Sequence, residues 1–208
     1  MKQINVAVIG TGWCGGIRAN TCATNPLVKD LYIAEIRPER LEEVKNLTNP
    51  VMATTNYKEL LKNDNIDAYF ISTTPEDIHF PMAKDCMEAG KHVFLEKPLA
   101  ITLAEADELV ALAEKSNVKF TIGYSQRFNP KFAYLKKCLS EGTIGQPVAG
   151  LVSRHITRGL GHKIGKRIKL SPAAMEATHD LDFLLWCLDP AKPIRVYSQS
   201  AYGAMKDV

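Results

Sequence analysis

Three glycines in Gly10-Thr11-Gly12-Trp13-Cys14-Gly15 follow the apolar run Ile4-Asn5-Val6-Ala7-Val8-Ile9 and open a helical pattern. The spacing suits a phosphate: the first glycine makes a tight turn, the second lets backbone approach a pyrophosphate, and the third lets the helix pack closely on the strand. The N–H groups and positive dipole end at a helix N-terminus complete an anion site. Gly10, Gly12, Trp13, Cys14 and Gly15 are therefore candidate contacts for a dinucleotide. Glu35 stands 20 residues beyond Gly15, at the end of Leu31-Tyr32-Ile33-Ala34. A carboxylate there accepts hydrogen bonds from adenosine ribose hydroxyls, which favours NAD. Arg37 lies two residues further on, where it could pair with a 2′-phosphate, so NADP stays open. The plain alternative for Arg37-Pro38-Glu39-Arg40 is a solvated helix start with proline in its first turn.

A second cluster, Glu96-Lys97-Pro98, follows the strand-like run His92-Val93-Phe94-Leu95. Ligands of open parallel sheets bind at the carboxyl ends of the strands. Proline keeps the preceding residue extended, so Lys97 is held in that crevice rather than absorbed into a helix. A lysine so placed can exchange a proton with a substrate hydroxyl while hydride moves to or from a nicotinamide ring. The alternative is a surface lysine in a turn.

The elements that would position these residues alternate along the first part of the chain, as in a parallel sheet covered by helices. Strands are expected at residues 5–10, 30–35, 51–53, 68–72, 92–96 and 119–123. The clearest helix follows Thr102, an N-cap with Glu105 as capping-box partner and an apolar face through Leu109, Val110 and Leu112. The expected fold is α/β: a doubly wound Rossmann domain over residues 1–122, then a partial α+β substrate or oligomerisation domain over 123–208. In that second module the pattern suggests a helix from Pro130 to Leu139, a strand from Val148 to Ile156, a basic loop, another helix, and a strand from Ile194 to Ser198. Two strands make a marginal sheet, so a fragment with an incomplete substrate site is expected.

The 208 residues carry a formal net charge of +3 and 46% hydrophobic residues, with no run near the ~20 apolar residues of a membrane span. No membrane association and no nucleic-acid partner are expected. The five cysteines, Cys14, Cys22, Cys86, Cys138 and Cys187, include no C-x-x-C pair, which argues against a disulfide framework or zinc site and suits the cytoplasm. His92 opens a strand and His155 lies in one, which reads as packing or edge residues, and His162 has no second ligand at metal spacing, so no metal is expected.

Several pieces fall in an order that resembles the Gfo/Idh/MocA family: residues 6–15, Thr73-Thr74-Pro75 with His79, Ala89-Gly90-Lys91-His92, Glu96-Lys97-Pro98, Gly123-Tyr124 with Arg127-Phe128 and Pro130, and Thr143-Ile144-Gly145. The resemblance implies a two-domain NAD(P)-dependent oxidoreductase that acts on a sugar, inositol or related polyol and assembles as a homo-oligomer through its second domain. It casts Lys97 as the catalytic lysine, and Glu96, Arg127, Thr73, Thr74, Pro75 and His79 as cofactor contacts. It casts His179, at the expected start of a helix, as the catalytic histidine. Many relatives place a carboxylate four residues before that histidine. Here the position is Met175, and Glu176 is the candidate replacement. This departure supports a second reading, a catalytically silent dinucleotide-binding regulator or assembly subunit. Arg154, Arg158, Lys163, Lys166, Arg167 and Lys169, with no acidic residue between them, are an ordinary solvated loop or a site for an acidic or phosphorylated substrate.

Overall fold

The computed structural model of the chain describes residues 2–157, 159 and 172–199. The chain divides into two compact units, Met1–Gly123 and Tyr124–Val208.

The first unit is built on a parallel sheet of β1 (Ile4–Ile9), β2 (Val28–Ala34), β3 (Met52–Thr54), β4 (Ala68–Ile71), β5 (His92–Leu95) and β6 (Phe120–Ile122). Its order is β3-β2-β1-β4-β5-β6. The chain runs outward from β1 to β3, returns to β4 beside β1, and runs outward again. That reversal puts a crevice at the carboxyl ends of β1 and β4.

Successive side chains of a strand point to opposite faces, and β1 uses both. Val6 and Val8 join Leu31 and Ile33 under α1 (Trp13–Thr24) and α2 (Pro38–Thr48), through Ala19, Cys22 and Val44. Ala7 and Ile9 join Tyr69, Ile71, Val93 and Leu95 on the other face, with Leu60 of α3 (Tyr57–Leu61), Ala83 and Cys86 of α4 (His79–Glu88), and Leu109 of α5 (Leu103–Ser116). Burial of each large aliphatic side chain contributes about 1.5–3 kcal/mol.

The six strands expected in the first unit all form, with ends shifted by at most two residues. Both halves of the Thr102–Glu105 capping box are made. Val110 departs from expectation: it is exposed, whereas Leu109 and Leu112 pack on the core. The stripe follows the three-residue helical step and leaves the next residue on the outer face.

The second unit contains a single 3-10 turn (Ser125–Phe128), α6 (Pro130–Ser140) and α7 (Pro172–Leu188) among the described residues. Asn129 caps α6 by accepting from the Lys131 N–H, with Pro130 in the first turn. The strands expected at 148–156 and 194–198 are not formed; both segments run without regular structure. A strand needs a hydrogen-bonded neighbour, and no described residue supplies one. His155 consequently lies outside any strand. No helix among the described residues is long and apolar enough to cross a membrane.

Candidate cofactor and catalytic sites

The carboxyl edge of the sheet is closed by hydrogen bonds that run one residue past each strand. Gly10 N–H donates to Ala34 O at 2.8 Å, Ser72 N–H to Ile9 O at 2.8 Å, Glu96 N–H to Ile71 O at 2.9 Å, and Gly123 N–H to Leu95 O at 2.8 Å. Gly10, Ser72, Glu96 and Gly123 are thereby fixed along one edge by backbone alone. Gly10 has φ +79°, and an added Cβ would stand 2.9 Å from Ser72 O. At Gly15 an added Cβ would stand 1.8 Å from Gly10 O, so α1 rests directly on the turn.

These contacts fit a bound dinucleotide phosphate. Gly12 is the N-cap of α1 and makes no side-chain cap, and the space that a Cβ would enter there is open. The first-turn N–H groups of α1 have no helical acceptor and face an anion's place. Trp13, the first residue of α1, is 85% exposed. Cys14 is half-buried and all five cysteines are free thiols.

Glu35 is buried at the end of β2 with four donors on its carboxylate. Oε2 accepts from Thr11 N–H at 2.8 Å and Thr11 Oγ1 at 2.9 Å; Oε1 accepts from Arg37 N–H at 3.2 Å and Arg37 Nε at 3.1 Å. Burial pushes its pKa up, but these hydrogen bonds outweigh it and hold the carboxyl below its ordinary range. Four donors fill a carboxylate's acceptor sites, so a ribose hydroxyl reaches Glu35 only by exchanging with the more exposed Arg37. Thr11, between Gly10 and Gly12, is therefore part of the site, a role its residue type alone does not signal. Arg40 adds a third tie: Nε donates to Thr11 O at 2.8 Å, and its guanidinium lies where a Cβ on Gly16 would go.

Two further loops sit on this edge. Thr74–Pro75 and Lys97–Pro98 are cis peptides. The His79 ring is buried, with Nδ1 2.8 Å from Pro98 O and Nε2 3.0 Å from Thr73 O. Its place is between the two loops, which it ties together through both ring nitrogens. Lys97 N–H donates to Glu96 Oε2 at 3.1 Å.

In the second unit, α7 starts at Pro172, so His179 lies two turns inside the helix rather than at its start. Met175, one turn before it, is buried. Glu176 does not take up the Met175 position; its carboxylate is 3.6 Å from Arg154 Nη1. Arg154 also grips Asp180 with Nε and, at 2.8 Å, Nη2. That hydrogen bonding holds the Asp180 carboxyl below its ordinary range. Tyr124 meets the His179 ring edge-on at 6.2 Å, and its hydroxyl is 3.2 Å from Thr178 Oγ1. Arg127 is bound bidentately to Asp182 at 2.9 and 2.6 Å and lies over the Trp186 ring at 5.6 Å. The residues Arg158, His162, Lys163, Lys166, Arg167 and Lys169 lie outside the described residues.

Residues 4–124 match the family described as "Oxidoreductase family, NAD-binding Rossmann fold", GFO_IDH_MocA. The chain belongs to the Gfo/Idh/MocA family. Among similar proteins, the uncharacterized oxidoreductase YrbE of Bacillus subtilis is 34% identical over 146 residues, spanning 70% of this chain and 42% of that protein. The myo-inositol 2-dehydrogenase of Thermotoga maritima is 33% identical over 147 residues, spanning 69% of this chain and 43% of that protein. A crystal structure of a probable dehydrogenase from Thermotoga maritima superposes with a TM-score of 0.77 at 26% identity, over 89% of this chain and 55% of that one. The chain thus spans less than half the length of these two relatives. Its first unit is the family's NAD-binding Rossmann fold.

Proposed function

We propose that the chain carries the cofactor-binding part, residues 1–122, and part of the substrate or oligomerisation domain, residues 123–208, of an NAD(P)-dependent oxidoreductase acting on a CH–OH group. The substrate class is a sugar, inositol or related polyol, in line with the name of the Thermotoga relative. The observation that carries this reading is the shared sheet edge: the glycine turn after β1 and Lys97 after β5 flank the end of β4, where the strand order reverses. Bound nicotinamide supplies the hydride acceptor in oxidation and the donor in reduction. The turn holds the pyrophosphate through α1's N-terminal N–H groups, and Glu35 exchanges Arg37 for a ribose hydroxyl. Released in that way, Arg37 is placed to meet a 2′-phosphate, so NADP remains within the reading. Thr73, Thr74, Pro75, His79, Glu96 and Arg127 complete the proposed cofactor contacts.

Lys97 takes the substrate hydroxyl proton as the C–H hydride leaves, so the alcohol loses two electrons and becomes a carbonyl. In reduction Lys97 returns the proton to the new alkoxide. His179 and Glu176 of α7 are the proposed partners in proton transfer. An acidic substrate is the finer option, carried by the basic residues 158–169; Arg154 is already committed to Asp180 and Glu176. The second reading, a silent dinucleotide binder, is favoured by buried Met175 in place of a carboxylate.

Titration of the chain with NADH and NADPH, followed by fluorescence and then by a panel of neutral and acidic polyols, tests both readings. Saturable binding with oxidation or reduction of the cofactor, lost in Lys97→Ala while binding survives, is the expected result. Binding without turnover by any polyol supports the silent reading, and no binding overturns both. Oligomeric state, measured by light scattering, tests the proposed homo-oligomer.

A further inference from the structure

Glu96 directly follows β5, and its carboxylate is 13% exposed. A carboxylate so far removed from water needs donors on both oxygens. Arg18, from the second turn of α1, supplies one on Oε1 through Nη2, and Lys97 N–H supplies one on Oε2. Arg18 is itself held: its guanidinium carbon lies 4.8 Å over the Phe94 ring, which stacks on Phe70 at 5.1 Å between centroids. On the other side, a Cβ on Gly123 would stand 3.0 Å from Glu96 Oε1, so the glycine that follows β6 leaves the room that the carboxylate fills. The carboxylate is therefore enclosed by α1, by its own strand and by the end of β6.

We infer that Arg18 is a positioning residue for Lys97, acting through Glu96 to tie the helix that receives the cofactor phosphates to the backbone of the lysine that handles the proton. The inference deepens the proposed function and rests on it. Its physical content is an order of charges. With Arg18 present, Glu96 is neutralised from α1 and its second oxygen holds the Lys97 N–H. Without Arg18, a poorly hydrated carboxylate remains beside the Lys97 backbone and attracts whatever cation can reach it, the Lys97 ammonium included. The lysine is then drawn onto Glu96 and away from a substrate hydroxyl. Arg18 touches neither substrate nor the reacting atoms in this account; its effect passes entirely through Glu96.

The test is a double-substitution cycle on the full chain, read by polyol turnover, by NADH titration and by the assigned backbone amide resonance of Lys97. Arg18→Met is expected to lower kcat by about tenfold to a hundredfold, the range of a misplaced catalytic group, with the NADH dissociation constant within about threefold. Arg18→Lys restores most of the loss. Arg18→Met combined with Glu96→Gln turns over faster than Arg18→Met alone, because the uncompensated carboxylate is gone. The Lys97 amide resonance moves in Arg18→Met and in Glu96→Gln, and returns in Arg18→Lys. Equal loss of NADH binding and kcat, additive substitutions, or an unmoved Lys97 amide overturns the inference. If the parent chain turns over no polyol, the proposed function fails, and the Lys97 amide still decides whether Arg18 governs its position.

Discussion

The two units hold their candidate site groups by different means. At the sheet edge of the first unit, Gly10, Ser72, Glu96 and Gly123 are placed by backbone hydrogen bonds between strands far apart in sequence, and Glu35 is locked by the N–H of Thr11. In the second unit, α7 presents its groups on one helix, and side-chain ion pairs tie them down: Arg154 to Asp180 and Glu176, Arg127 to Asp182. Backbone ties leave a site little freedom, because moving one group disturbs the sheet. Ion pairs at a partly exposed helix face are individually worth about 1 kcal/mol or less. The first unit is thus built to fix geometry, whereas the second holds charge on a surface that can be re-paired.

The largest expected effect comes from adding one carbon at a glycine in each unit. Gly15→Ala drives a Cβ to 1.8 Å from Gly10 O, a backbone atom, whereas Gly150→Ala meets only the far end of Leu184, Cδ2 at 2.8 Å. Gly15→Ala should cost about 3 kcal/mol or more and abolish NADH binding, while Gly150→Ala stays within about 0.5 kcal/mol. Urea unfolding of both variants checks this. Similar losses at the two positions would erase the distinction between backbone-fixed and side-chain-fixed sites.

Next in size is Glu35→Gln. Loss of charged hydrogen bonds should weaken NADH binding by about tenfold to a hundredfold, measured by fluorescence titration. Acid stability sharpens the point. Because Glu35 is held below its ordinary value of 4.5 in the fold, the unfolded chain binds that proton more readily. Its contribution is complete above the unfolded value and is lost as pH falls through the lower folded one, so Glu35→Gln should flatten that part of the stability curve. Asp180, lowered chiefly by its hydrogen bond from Arg154, should behave with the same sign in the second unit.

Helix caps give a smaller and matched pair. Thr102 accepts from Glu105 N–H at 3.3 Å in the first unit, and Asn129 accepts from Lys131 N–H at 3.0 Å in the second. Thr102→Ala and Asn129→Ala should each cost about 1 kcal/mol in thermal or urea unfolding. Unequal costs would show that capping energy depends on what lies beneath the helix.

Much of this was legible in the sequence of the first unit because its signals are local. A strand followed by Gly10-x-Gly12-x-x-Gly15, an acidic residue after β2, and proline after Lys97 each reveal a place in a parallel sheet. Thr11, Arg18 and Arg40 were hidden because their roles depend on contacts made across the fold, to Glu35, Glu96 and the Thr11 carbonyl. Val110 misled because an apolar residue next to a buried one is read as part of the same stripe. In the second unit, apolar β-branched residues at 148–156 and 194–198 gave a strand pattern, but pattern cannot provide the pairing partner. Pro172 as a helix start was likewise overlooked, which shifted His179 from the interior of α7 to its first turn.

The smallest expected effect bears on those same segments. Val148 is 98% exposed and Ile194 is 100% exposed. An apolar side chain already in water has no burial to lose, so Val148→Ser and Ile194→Ser should each change stability by less than about 0.5 kcal/mol. The same change at Ile71 of β4, which is fully buried, would remove a core side chain and cost several-fold more, about 2–5 kcal/mol. Urea unfolding of the three variants places them on one scale. A loss above about 1 kcal/mol at Val148 or Ile194 would mean that the segment is covered in solution, by a second copy or by neighbouring chain, and that the alternation at 148–156 and 194–198 encodes a strand after all. Near-zero effects would place the stabilising core of the chain in the sheet, with α6 and α7 carrying what order the second unit has.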